Sequence, residues 1–285
     1  MTTEQLNEIT GGAHILIAGA TGSGKSVLLN NIIYHILRSD ADKLPQFIFC
    51  DPKKVELWQY RTLPGCFYCC ENGEIIQALN AVIEAMSARY DEMQAQNIRK
   101  YAGRKIIIVI DELADLMLTC RHSVLPLLQR VLQLGRAANI QIIACTQCPN
   151  RRVIPAELTL NFTDKVALRC DSGIESRQVI NISGAEKLPK YGAGIWRHPG
   201  ALEQIKIEIV PDNCIISAVS ALSSVNDDIE AIELPKIEKA KKVKSRYRRA
   251  RIWRNIKFIL SELFRRLFFK AIIITIIIII LQYIK

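Results

Sequence analysis

Gly19-Ala20-Thr21-Gly22-Ser23-Gly24-Lys25-Ser26 fits the pattern G-x-x-x-x-G-K-[ST]. The apolar run His14-Ile-Leu-Ile-Ala18 precedes it and reads as a buried strand, and a helical pattern from Ser26 to about Leu37 follows. Strand, glycine-rich loop and helix in that order form the context in which this pattern is a phosphate-binding loop rather than an ordinary turn. Glycines let the backbone N–H groups turn inward around phosphate oxygens, and the helix N-terminus adds partial positive charge. Residues Gly19 to Val27 are therefore the candidate nucleotide cradle. Lys25 is expected to reach the β/γ-phosphates of ATP, and the Ser26 hydroxyl to ligate Mg²⁺.

A second stretch supplies carboxylates. Lys105-Ile-Ile-Ile-Val-Ile-Asp111-Glu112 is a β-branched run ending in two acids. Such a run is buried on both faces, as in a parallel α/β sheet. Ligands in these sheets sit at the carboxyl ends of the strands. Asp111 is thus expected to hold magnesium beside the phosphate loop, and Glu112 to polarise an attacking water. The competing reading makes the pair a cap for the following helix.

Further strands are read at Gln46–Cys50, 164–169 and Gln204–Val210, with another at Ile140–Ala144 that ends at Thr146-Gln147. Helices are read at 25–38, 73–98, 122–136, 174–181 and 214–223. The alternation implies an α/β domain, a mostly parallel sheet with helices on both faces.

The net charge of +10 is unevenly spread. Residues 226–285 hold 15 Lys/Arg against 6 Asp/Glu, whereas residues 1–225 hold 23 against 22. Basicity is therefore a property of the tail, and overall charge alone does not argue for a nucleic-acid partner. Lys236 to Lys257 carries eleven Lys/Arg and one Glu. Leu267 to Ile284 then runs 18 residues, broken by Lys270 and Gln282, with isoleucine at nine of them. As a helix this spans about 27 Å, enough to cross a bilayer core, with Lys270 snorkelling to the headgroups. The expected organisation is a motor domain over 1–225, a basic juxtamembrane linker over 226–257 and a C-terminal hydrophobic helix over 258–285. That helix is expected to be a single-pass anchor in the cell membrane, with the basic flank keeping the motor on the cytoplasmic side. The competing reading packs the apolar end inside the protein or an oligomer. The basic stretch suits anionic lipid by its position, or nucleic acid held without sequence preference.

Nine cysteines include two C-x-x-C pairs, Cys66/Cys69 and Cys145/Cys148. A shared zinc site is the lesser reading. Cys145 ends a core strand, and a cytosolic ATP-dependent protein keeps its thiols reduced.

Several stretches together narrow the class. His14 to Asn30, Asp51-Pro-Lys-Lys-Val-Glu-Leu-Trp-Gln-Tyr60, Ile110-Asp-Glu-Leu-Ala-Asp-Leu-Met117, Leu134-Gly-Arg-Ala-Ala-Asn-Ile140, Ala144-Cys-Thr-Gln147, Ser176-Arg177 and Gly184-Ala-Glu-Lys-Leu188 resemble the motor domain of the FtsK/SpoIIIE double-stranded DNA translocases in order and spacing. The resemblance covers about residues 12–220. It implies a RecA-like P-loop NTPase core in a ring, expected to be a homo-hexamer, with double-stranded DNA in its channel and ATP between subunits. By matching position Asp111 and Glu112 are the Walker B pair, and Gln147 is the polar sensor. Asp51 and Lys53 lie in the family's Asp-Pro-Lys turn. A cation supplied in trans is expected for phosphoryl transfer. Arg136, Arg169 and Arg177 are candidates, and Arg177 ranks first because it lies in the Ser-Arg match. The chain departs from the family at Asp164-Lys165, where Thr-Arg is usual. Lysine cannot make the same forked contact there. Cys148 replaces an arginine.

The chain starts close to the motor, and no extra domain, N-terminal span or DNA-reading winged helix is recognised. The expectation is a short, membrane-tethered relative from a mobile element, acting in DNA transfer or partition. Grip on the DNA backbone carries no base code. The alternatives are a protein-secretion or coupling ATPase resembling EccC, and a regulatory subunit that binds nucleotide without hydrolysis.

Overall fold

The computed structural model describes residues 1–39, 44–147 and 149–223. The basic stretch, the isoleucine-rich run and Cys148 lie outside the described residues. Among the described residues no helix is long and apolar enough to cross a membrane.

In chain order the elements are α1 (Thr3–Ile9), β1 (Ile15–Ala18), α2 (Lys25–Ser39), β2 (Gln46–Cys50), β3 (Phe67–Cys69), α3 (Asn72–Ala95), β4 (Ile106–Ile110), α4 (Leu113–Leu134), β5 (Ile140–Thr146), α5 (Ala156–Leu160), β6 (Asp164–Ala167), α6 (Gly173–Ile180), β7 (Ala193–His198), β8 (Ala201–Lys206) and α7 (Asp212–Ser223). One sheet takes the order β3-β2-β4-β5-β1-β6-β7-β8. Pairing is parallel from β3 through β6 and antiparallel at β6–β7 and β7–β8.

Strands β1, β2, β4, β5 and β6 are buried throughout. Alternate side chains feed two cores, as the two-residue period of a strand requires. Ile48, Ile106, Ile108, Ile110, Ile140 and Ile142 face α3, α4 and α5. Ile15, Ile17, Phe47, Phe49, Ile107, Val109 and Ile143 face α2 and α7. Helices therefore cover both faces, and the sheet is mostly parallel.

Several elements depart from the sequence-based boundaries. Helix α4 starts at Leu113, nine residues before the expected 122. Its pattern is broken at Cys120, whose φ −141° and ψ 30° are not helical, and at Pro126, so the first segment is hard to read. The expected strand 204–210 is instead β8, at 201–206. It pairs with β7 through the two-residue turn Pro199-Gly200, where Gly200 takes φ 109°. Strand β7 escapes sequence reading because Gly194 interrupts it. A Cβ there would come within 2.9 Å of Leu168 Cδ2, so glycine lets the strands close. Strand β3, at three residues, and the short helices α1 and α5 are also not evident from pattern.

Cys69 and Cys145, one from each C-x-x-C pair, lie apart. Cys69 is in β3 and Cys145 in β5, and β2 and β4 lie between those strands. Cys50, Cys69, Cys145 and Cys170 are buried free thiols, and burial pushes the Cys69 and Cys170 thiols up to about 12.

Candidate functional site

The site lies at the carboxyl ends of β1, β5, β4 and β2. The loop leaving β1 turns at Gly22 (φ 71°) and Gly24 (φ 98°), both in the left-handed region. Gly19 is required for a different reason. A Cβ there would meet Ser23 Oγ at 2.6 Å and Leu168 Cβ at 2.9 Å. The loop is hung on its neighbours by Gly19 N–H to Thr146 O at 3.3 Å and Ala20 N–H to Arg169 O at 2.8 Å. Lys25, the first residue of α2, donates from Nζ to Gly19 O at 2.8 Å and Ala20 O at 2.9 Å. Burial lowers its pKa, and the nearby Glu112, Asp111 and Glu56 oppose that effect. Ser23 Oγ is buried with no hydrogen-bond partner. An ammonium group, an orphaned hydroxyl and left-handed glycines beside a helix N-terminus fit a polyphosphate.

The acid pair is one strand further from the loop than adjacency would give, because β5 separates β4 from β1. The gap is closed by Gln147, just past β5. Its backbone N–H donates to both Glu112 oxygens at 3.1 Å, and its side-chain Oε1 accepts from Thr21 Oγ1 at 2.7 Å. Glu112 is buried and also accepts from Ala114 N–H at 3.3 Å, capping α4. The capping reading of Glu112 is thus geometrically correct, and the same carboxylate stands in the network that reaches the phosphate loop.

Asp111 is partly buried, and its N–H donates to Cys50 O, which brings the ends of β4 and β2 together. Burial, then the charges of Asp51, Glu56 and Glu112, push its carboxyl up to about 7, with Lys53 pulling the other way. Lys25 and Lys53 both act on this acid cluster, and Ser26 is the second residue of α2.

Asp51 directly follows β2 and is fully buried. Its Oδ2 accepts from Leu57 N–H at 3.1 Å and Tyr68 Oη at 3.0 Å, and its Oδ1 has no partner. Lys53 pairs with Asp115 at 3.2 Å, tying the Asp-Pro-Lys turn to the first turn of α4. The sequence placed Asp51 and Lys53 in the family's Asp-Pro-Lys turn but gave no sign of their contacts with Tyr68 and Asp115.

The three candidate arginines separate. Arg169 is exposed and follows β6, with its carbonyl on the phosphate loop. Arg177 is exposed on α6. Arg136 is exposed between α4 and β5, at the amino ends of the strands and so opposite the site, where its charge acts on His14 and Asp164. Asp164 and Lys165 lie at the start of β6, also away from the loop. Asp164 Oδ1 accepts from Trp196 Nε1 at 2.9 Å, and burial lowers the Lys165 pKa.

A phosphate loop after β1, an acid pair after β4 and a polar residue on the strand between define a P-loop ATPase core of RecA-like order. Residues 2–106 match the FtsK/SpoIIIE family model. The chain is 33% identical over 219 residues to the DNA translocase FtsK of Clostridium acetobutylicum, covering 71% of this chain and 29% of that protein. It is 34% identical over 227 residues to the Staphylococcus aureus protein of the same name, covering 72% and 28%. The chain carries a domain of the FtsK/SpoIIIE family, and it spans under a third of the length of these curated relatives. Its fold is similar to the pCW3 conjugation coupling protein TcpA, solved with ATPγS (TM-score 0.67, 22% identity, covering 74% of this chain and 65% of that one). It is also similar to the cytoplasmic domain of the type VII secretion ATPase EccC from Thermomonospora curvata (TM-score 0.68, 21% identity, covering 80% and 30%).

Proposed function

We propose that this chain is an ATP-driven translocase of double-stranded DNA. The observation that carries the proposal is the network in which Gln147, just past β5, joins Glu112 to Thr21 of the phosphate loop, whose Gly19 and Ala20 carbonyls hold Lys25. The identity to proteins named as DNA translocases supports it. Gly19 to Val27 with Lys25 hold the phosphates of ATP. Ser26 and Asp111 hold Mg²⁺, which when bound neutralises charge on the phosphates. Glu112 is the general base for the attacking water, and Gln147 contacts the terminal phosphate or that water. Arg177 of a neighbouring subunit is the first candidate for the trans cation, in a ring we take to be a homo-hexamer. Residues 258–285 tether it to the membrane, with the motor on the cytoplasmic side.

Phosphate release by the full chain, with and without long duplex DNA, tests the reading. We expect stimulation by DNA, and a fall of at least ~100-fold for Glu112→Gln, the scale of a lost general base. Equal release by Glu112→Gln and the wild type removes the enzyme. Turnover indifferent to DNA removes the DNA partner in favour of a protein-secretion motor.

A further inference from the structure

Thr21 occupies one of the unconstrained positions of the phosphate-loop pattern, so the motif assigns its side chain nothing. Nevertheless its hydroxyl makes a short bond, 2.7 Å, to a residue 126 positions away. The acceptor is Gln147 Oε1. Residue 147 is already fixed at its backbone, where its N–H meets both Glu112 oxygens. The side chain is held at one atom, the carboxamide oxygen, and the amide nitrogen carries two donors of its own. Both side chains are solvent-exposed. A hydrogen bond between exposed neutral groups stabilises a fold by only about 0.5–1.5 kcal/mol, so its main effect is on orientation.

We propose that Thr21 is a positioning residue for Gln147. Its hydroxyl donates to Gln147 Oε1 and so presents Nε2 to the terminal phosphate or the attacking water. This rests on the reading of Gln147 given above. A preorganised donor aimed at developing charge contributes to rate without contributing to ground-state binding in proportion. Loss of the hydroxyl therefore acts on kcat.

The test uses the full chain. Thr21→Val keeps the shape and removes the hydroxyl, Thr21→Ser keeps the hydroxyl, and Gln147→Ala removes the group being positioned. Steady-state ATP turnover is measured for each and for the Thr21→Val/Gln147→Ala double variant. Nucleotide affinity is measured by titration with a fluorescent ATP analogue, and folding by thermal melting. We expect Thr21→Val to lose about 5- to 10-fold in kcat, with affinity and melting temperature unchanged, and Thr21→Ser to recover most of it. We expect no further loss when Thr21→Val is added to Gln147→Ala, because residues acting through one contact are not additive. Multiplying losses in the double variant, unchanged kcat in Thr21→Val, or a loss confined to nucleotide affinity each overturn the proposal while leaving the ATPase reading standing. A wild-type chain with no ATP turnover overturns both.

Discussion

Acid should unfold this domain through His14, immediately before β1. The ring is 3% exposed, and its Nδ1 accepts from Ile142 N–H at 3.0 Å. Burial, with the charges of Arg136 and Lys105 adding to it, lowers the imidazole from 6.5 to about 4, and the Leu132 backbone opposes them. The unfolded chain therefore takes up this proton near pH 6.5 and the folded chain only near pH 4. Stability from the neutral ring is complete above about pH 6.5 and is lost as pH falls toward 4. A difference of 2.5 pH units amounts to about 3 kcal/mol over the whole window and about 2 kcal/mol by pH 5. His14→Asn places an untitratable acceptor near Nδ1. Urea denaturation of both proteins from pH 8 to 4.5 isolates the effect, since the other three histidines are common to them. The wild type should lose about 2 kcal/mol more than the variant between pH 7.5 and 5. Parallel stability curves would refute the argument, as would an NMR titration of His14 with a midpoint near 6.5.

Gly19→Ala should destabilise the protein by about 1–3 kcal/mol, the range for an overpacked site, and should weaken nucleotide binding, because the new methyl meets Ser23 and Leu168 below 3.0 Å. Urea denaturation and nucleotide titration check this; wild-type stability would show that the loop has more room than described. Asp51→Ala strands the Leu57 N–H and Tyr68 hydroxyl donors and should cost about 2–4 kcal/mol by urea denaturation. It should also speed proteolysis between residues 51 and 63, and unchanged cleavage there would mean that Asp51 does not hold that segment.

The central strands and the phosphate loop were legible because their signals are local. A β-branched run buried on both faces and glycines at fixed spacing need no partner to be recognised. Lys25, Asp111 and Glu112 followed from the same motifs. What stayed hidden depends on contacts between distant residues. Helix α4 lost its first segment to the irregularity at Cys120, although Glu112 caps it. Strand β7 carries Gly194, whose reason is the neighbouring Leu168. Thr21 and Gln147 meet only because β5 lies beside β1, and sheet order is not written in either residue.

Helices α2 and α4 start at Lys25 and beside Glu112, yet they pack into different cores on opposite sides of the sheet. The sheet acts as a partition between them. What disturbs the start of α2 is felt among the side chains it shares with α7, and what disturbs the start of α4 among those it shares with α3 and α5.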